Sequence, residues 1–128
     1  MKVMLITNNN KVFENYEDQA EIIFLAEGTY MDVLYKARDY VHKGYQLLSH
    51  PLSGSLKPNQ TPYKSIVLEN HTSDMEQCHE SIMFMENSIE SAEKFLSYKR
   101  TPNWTDKVKE DFKTIDLSFL QGSINKLL

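Results

Sequence analysis

Residues 50–65 read HPLSGSLKPNQTPYKS and hold three of the chain's four prolines (Pro51, Pro58 and Pro62) together with Gly54. Each proline removes a backbone donor and drives the residue before it out of the helical region, so no helix runs through this stretch. The apolar runs on either side, YQLL at 45–48 and IVL at 66–68, read as strands. A parallel return between two strands normally uses a helix, which this connection cannot supply. The strand after it is therefore expected to pair antiparallel or to lie at a sheet edge. Connections of about 14 residues without secondary structure are uncommon in compact domains and commonly functional, so the same stretch is the first place to look for a site.

Working outward towards the N-terminus, Val3-Met4-Leu5-Ile6 forms a first strand over 2–7 that stops at Thr7-Asn8-Asn9-Asn10, three asparagines with turn and capping chemistry. Val12, Phe13 and Tyr16 fit a short helix over 11–19, and Ile22-Ile23-Phe24-Leu25-Ala26 reads as a second strand, apolar on both faces and so expected between two layers. Thr29 and Asp32 stand at capping-box spacing before Tyr30, Val33, Leu34, Ala37, Tyr40 and Val41, an apolar helical stripe that Gly44 ends in a left-handed turn. On the C-terminal side, Met75, Cys78, Ile82, Met85, Ile89, Ala92 and Leu96 alternate steps of three and four along a helix over 74–98. That is a seam for packing along another helix. Thr105 caps a last helix with a stripe of Val108, Phe112, Ile115 and Phe119, which offers the seam a partner within the chain, homodimerisation being the alternative. The expected fold is α/β: a small three-layer domain with a mostly parallel four-stranded sheet and a C-terminal helical pair. A single domain is expected over 1–128, its sheet-forming half being 1–70 with the 50–65 loop and its helical half 71–128.

The 14 basic and 18 acidic residues give a formal net charge of −4, which argues against nucleic acid as a partner. Cys78 is the one cysteine, so no internal disulfide forms and a reducing compartment is implied. The apolar run in MKVMLITNNN is too short for a signal-peptide core and no run reaches about 18 apolar residues, so a cytoplasmic chain with no membrane partner is expected. Charge is segregated. Residues 36–64 hold five basic side chains against one acidic, and 65–98 hold seven acidic against one basic. A field of that shape steers a small anion towards the loop.

A strand order of two, one, three would place the topological switch point between strands one and three, where open α/β sheets bind ligands. It would bring Thr7-Asn8-Asn9-Asn10 beside Ser49-His50-Pro51-Leu52-Ser53-Gly54-Ser55. The candidate ligand-binding residues are accordingly Asn8, Asn9, His50, Ser53, Gly54, Ser55, Lys57 and Lys64, a set of amides, hydroxyls and cations suited to a carboxylate or phosphate. His50 is the candidate acid or base if the protein is an enzyme. No other catalytic residue stands out: the dinucleotide and P-loop fingerprints are absent, Ser53-Gly54-Ser55 lacks the nucleophile-elbow pattern, and Cys78 lies on an apolar seam. His71, Cys78 and His79 lack paired metal-ligand spacing, so neither a metal nor a cofactor is expected.

At GTYMDVLYKARDYVHKG (28–44) followed by YQLLSHPLSGSLKPNQTPYKS (45–65), with MKVMLITNN at the start, the chain resembles the GrdX family over roughly its first 70 residues. The resemblance implies a small cytoplasmic protein of anaerobic, amino-acid-fermenting bacteria, encoded beside the components of the selenium-dependent glycine reductase complex that converts glycine to acetyl phosphate and ammonia. The family carries no assigned catalytic residues, so the resemblance transfers none. Two readings stand together. One is an accessory or regulatory protein that binds a small anion or a glycine reductase component; the other is a small enzyme acting on a phosphorylated or carboxylated metabolite through His50.

Overall fold

The computed structural model describes residues 3–52, 56–69 and 75–125. The element order is β1 (Val3–Thr7), α1 (Asn10–Tyr16), β2 (Glu21–Phe24), α2 (Tyr30–His42), β3 (Gln46–Leu47), β4 (Ser65–Glu69), α3 (Met75–Tyr98) and α4 (Asp106–Ile124). The start signals act where they were expected. The Thr29 hydroxyl accepts from the Asp32 amide while the Asp32 carboxylate accepts from the Thr29 amide, closing the capping box of α2. Gly44, at φ 101°, ends that helix in a conformation other residues rarely adopt.

One four-stranded sheet has the order β2-β1-β4-β3. β1 pairs parallel with β2, and β4 pairs antiparallel with both β1 and β3, so three strands point one way and β4 opposes them. The opposed direction of β4 follows the expectation, but its place corrects the alternatives drawn from the loop. β4 is not at an edge, and strands one and three are not neighbours, because β4 lies between them. Its own composition explains this: Ile66 and Leu68 face one core cluster and Val67 the other, all three fully buried, as a central strand requires. The loop after β3 thus joins adjacent antiparallel strands, a connection that needs no helix. β2 is the opposite case. It is an edge strand with Ile22 and Ile23 only half-buried, not the buried inner strand its apolar run suggested.

Helices cover both faces. Met4, Ile6, Ile66 and Leu68 pack against Val33, Leu34, Ala37 and Val41 of α2 and Met85, Ile89 and Ala92 of α3. Val3, Leu5 and Val67 pack against Val12 and Tyr16 of α1 and Leu120 and Ile124 of α4. The C-terminal helices therefore lie on opposite sides of the sheet, and the α3 seam meets α2 rather than α4. The start of that seam is unused, Met75 being 82% exposed. On α4 the expected stripe is rotated: Leu117, Leu120 and Ile124 meet the sheet, while Ile115 and Phe119 stand 37% and 43% exposed.

Because Ile89 closes the seam inside the monomer, Ile89→Asp is expected to cost on the order of 4–5 kcal/mol and leave an unfolded chain, since it buries an unpaired carboxylate. Met83→Asp on the exposed side of the same helix should stay folded. Circular dichroism and size-exclusion chromatography separate the two; a soluble, folded Ile89→Asp monomer would make the seam an interface between chains.

Candidate functional site

The carboxyl end of β1 gathers polar side chains that the apolar sheet would otherwise exclude. Thr7, its last residue, is opposite Ser65, the first of β4. Their hydroxyl oxygens are 2.7 Å apart, and the Ser65 hydroxyl donates to Asp116 Oδ2 at 2.7 Å. With the Ser65 proton committed to α4, the Thr7 hydroxyl donates to Ser65 and accepts the Asn9 amide at 3.0 Å. Asn9 Nδ2 closes the chain on Asp116 Oδ2 at 3.0 Å and also donates to the Lys113 carbonyl, while its Oδ1 caps α1 through the Lys11 amide. Asn8 is a brace of the same kind. Its Nδ2 donates to the Gly28 and Pro62 carbonyls and its Oδ1 accepts from the Lys64 amide at 2.9 Å. Both asparagines are buried and their hydrogen-bonding groups are engaged inside the fold.

Two ionisable groups sit in this network. Lys64 is only 6% exposed, and burial pulls its amine down to about 8, against an opposing pull from the Asp116 charge. Burial pushes the Asp116 carboxyl above its usual range, although hydrogen bonds from Asn9 and Ser65 and the charge of Lys64 act the other way. The Tyr30 phenol is raised as well, first by burial and then by Asp116. Clefts of about 20 and 30 Å³ flank the pair, and both have Lys64 and Asp116 on their walls.

Beyond Tyr30 and Tyr63, which border the smaller cleft, a cavity of about 490 Å³ opens over the carboxyl ends of β1 and β2. Its wall includes Asn8, the first turn of α2 from Thr29, the two tyrosine rings, Glu27 and Lys109. It is an apolar hollow with a cation and an anion on its wall, the usual make-up of a small-molecule site.

The structure divides the candidate residues. Asn8, Asn9 and Lys64 come together here, the asparagines as braces. His50 is exposed, its Nδ1 accepting the Leu52 amide and its ring 5.6 Å from Phe84 on α3. Lys57 is exposed with its Nζ 5.5 Å from the Phe95 ring, about 16 Å further along the same helix. Ser53, Gly54, Ser55 and His71 lie outside the described residues. Asn8 and Asn9 adjoin residues 62–65, the returning end of the loop, rather than its start, because β4 and not β3 is the neighbour of β1. Asp116, Tyr30, Tyr63 and Lys109 were not singled out from the sequence. The available signal for Asp116 was its place in the true inward stripe of α4, four residues before Leu120. Among the described residues no group of three or more histidine, cysteine or carboxylate side chains could hold a metal. No described helix is long and apolar enough to cross a membrane.

The depressed Lys64 pKa sets a pH dependence. The unfolded chain binds this proton more tightly than the folded one, so stability contributed by the site rises with pH. Relative to Lys64→Met, the wild type is expected to gain up to about 3 kcal/mol between pH 8 and 10.5, read from urea unfolding. A flat difference across that window would show a solvated amine.

The family model described as GrdX-like protein matches residues 4–125. Neither the curated proteins nor the solved structures compared with the chain yielded a match. A match of that extent reaches well past the loop into α3 and α4 and takes in Lys64, Asp116 and the cavity together: the chain belongs to the GrdX-like protein family.

Proposed function

We propose that this chain is a cytoplasmic accessory or regulatory protein of the glycine reductase system that binds a small anion in the cavity over the carboxyl ends of β1 and β2. The observation that carries the reading is the cavity itself, about 490 Å³ with Lys109 on its wall beside the first turn of α2. The volume lies in the ordinary range of small-molecule pockets, and the family membership supports the link to glycine reductase. Glu27 on the same wall favours a carboxylate that also carries an ammonium, since each charge then meets its opposite. The reading of His50 as acid or base gains nothing from the geometry, since its Nδ1 accepts the Leu52 amide and its ring rests on Phe84. Docking of a glycine reductase component is favoured by a different feature, the exposed Met75, Met83 and Phe84 of α3, which line an open groove.

Thermal unfolding against glycine, acetyl phosphate, inorganic phosphate and nucleotides tests the ligand reading. A true ligand at about 100 times its dissociation constant stabilises the fold by about 2.7 kcal/mol, a midpoint shift of several degrees. The shift is expected to be selective and to disappear in Lys109→Ala. A panel without effect would leave the α3 surface as the functional one.

A further inference from the structure

We propose that the cavity over the carboxyl ends of β1 and β2 takes an α-amino acid with an apolar side chain, its ammonium on Glu27, its carboxylate on Lys109 and its side chain on the apolar part of the wall. The inference rests on the anion reading of the same cavity and narrows it to one class of ligand. It begins with the polar groups that the wall leaves free. The Asn8 amide is committed to Gly28, Pro62 and Lys64, the Thr101 hydroxyl donates to the Pro58 carbonyl, and the Thr29 hydroxyl accepts the Asp32 amide. Glu27 and Lys109 differ from these. No ion pair joins them, and neither side chain has a hydrogen-bond or ion-pair partner among the described residues. One free charge of each sign on one wall is matched by a zwitterion, whereas a simple anion leaves Glu27 facing a like charge.

The rest of the wall decides the side chain. Ala26, Met31, Pro62, Leu96 and the rings of Tyr30 and Tyr63 present mostly apolar surface, and about 490 Å³ lies in the range that encloses drug-sized molecules. Glycine has the two charges and nothing to cover those surfaces, so it leaves them in contact with water. A branched aliphatic side chain covers them. Burying a side chain of leucine size strengthens binding on the order of 10- to 100-fold. A charged side chain would lose its water there and find no charge partner beyond Glu27 and Lys109, which the backbone ammonium and carboxylate already occupy.

Calorimetric titration of the full chain with L-leucine, glycine, 4-methylpentanoate, leucinamide and inorganic phosphate tests the assignment without relying on a variant. 4-Methylpentanoate keeps the leucine side chain and carboxylate but lacks the ammonium, and leucinamide lacks the carboxylate. Leucine is expected to bind at least about tenfold more tightly than glycine and about three- to fivefold more tightly than either analogue. Glu27 is exposed, so Glu27→Gln should fold; it is expected to weaken leucine by about the same three- to fivefold and not to weaken 4-methylpentanoate. Leucine no tighter than glycine, or 4-methylpentanoate equal to leucine on the wild type, would overturn the proposal. Binding of phosphate with none of the amino-acid series would overturn it while the anion reading stands, and binding by no probe at all would remove both.

Discussion

The antiparallel insertion of β4 between β1 and β3 is the constraint on which the rest of this structure depends. Backbone pairing with both neighbours places Ser65 opposite Thr7, and the proline-rich connection must therefore return to the sheet at the carboxyl end of β1. That return delivers Lys64 and Ser65 to a point where α4 can meet them. Without it, Asp116 would face no Ser65 hydroxyl and Asn8 would have no loop carbonyl or amide to bind. The site is a consequence of strand order before it is a consequence of side chains.

The network also decides where a ligand can go. A buried carboxylate is costly unless its oxygens accept hydrogen bonds, and Asp116 receives them from Ser65 and Asn9. Those donors are then unavailable to a metabolite. Asn8 is similarly engaged, by the Gly28 and Pro62 carbonyls and the Lys64 amide. Open volume is left on the far side of Tyr30 and Tyr63, where α2 begins and Lys109 reaches the wall. The fold thus separates a tight, water-sized polar centre from an open cavity, with two aromatic rings between them.

Local signals in the chain were legible because local physics enforces them. The Thr29–Asp32 box, the positive φ of Gly44 and the Thr105 cap each depend on a few neighbouring residues. The α3 seam was equally plain from spacing, although its partner was not, since any apolar stripe satisfies it and α2 proved closer than α4. Strand order escaped because IVL at 66–68 carries no information about which strand it will pair with; only its two-sided apolar character hinted at a central place. On α4 the stripe of Val108, Phe112, Ile115 and Phe119 looked more apolar than the face actually used, whose inward member Asp116 is charged. Burial of that carboxylate depends on Ser65 and Asn9, 51 and 107 residues away in the chain, a pairing that no window along the sequence can reveal. For the same reason Lys64 was found among the loop cations while its partner was missed. His50 and Lys57, chosen with it, went instead to aromatic rings on α3.

The central claim is that a small carboxylate or phosphate binds at the carboxyl ends of β1 and β2 beside the Lys64–Asp116 centre. Amide NMR mapping of the full chain titrated with glycine and, separately, with inorganic phosphate tests it most directly. The account predicts saturable shifts confined to Asn8, to residues 28–31 at the start of α2, and to Lys109. Shifts centred on Met83 and Phe84 of α3, or none with either titrant, would contradict it.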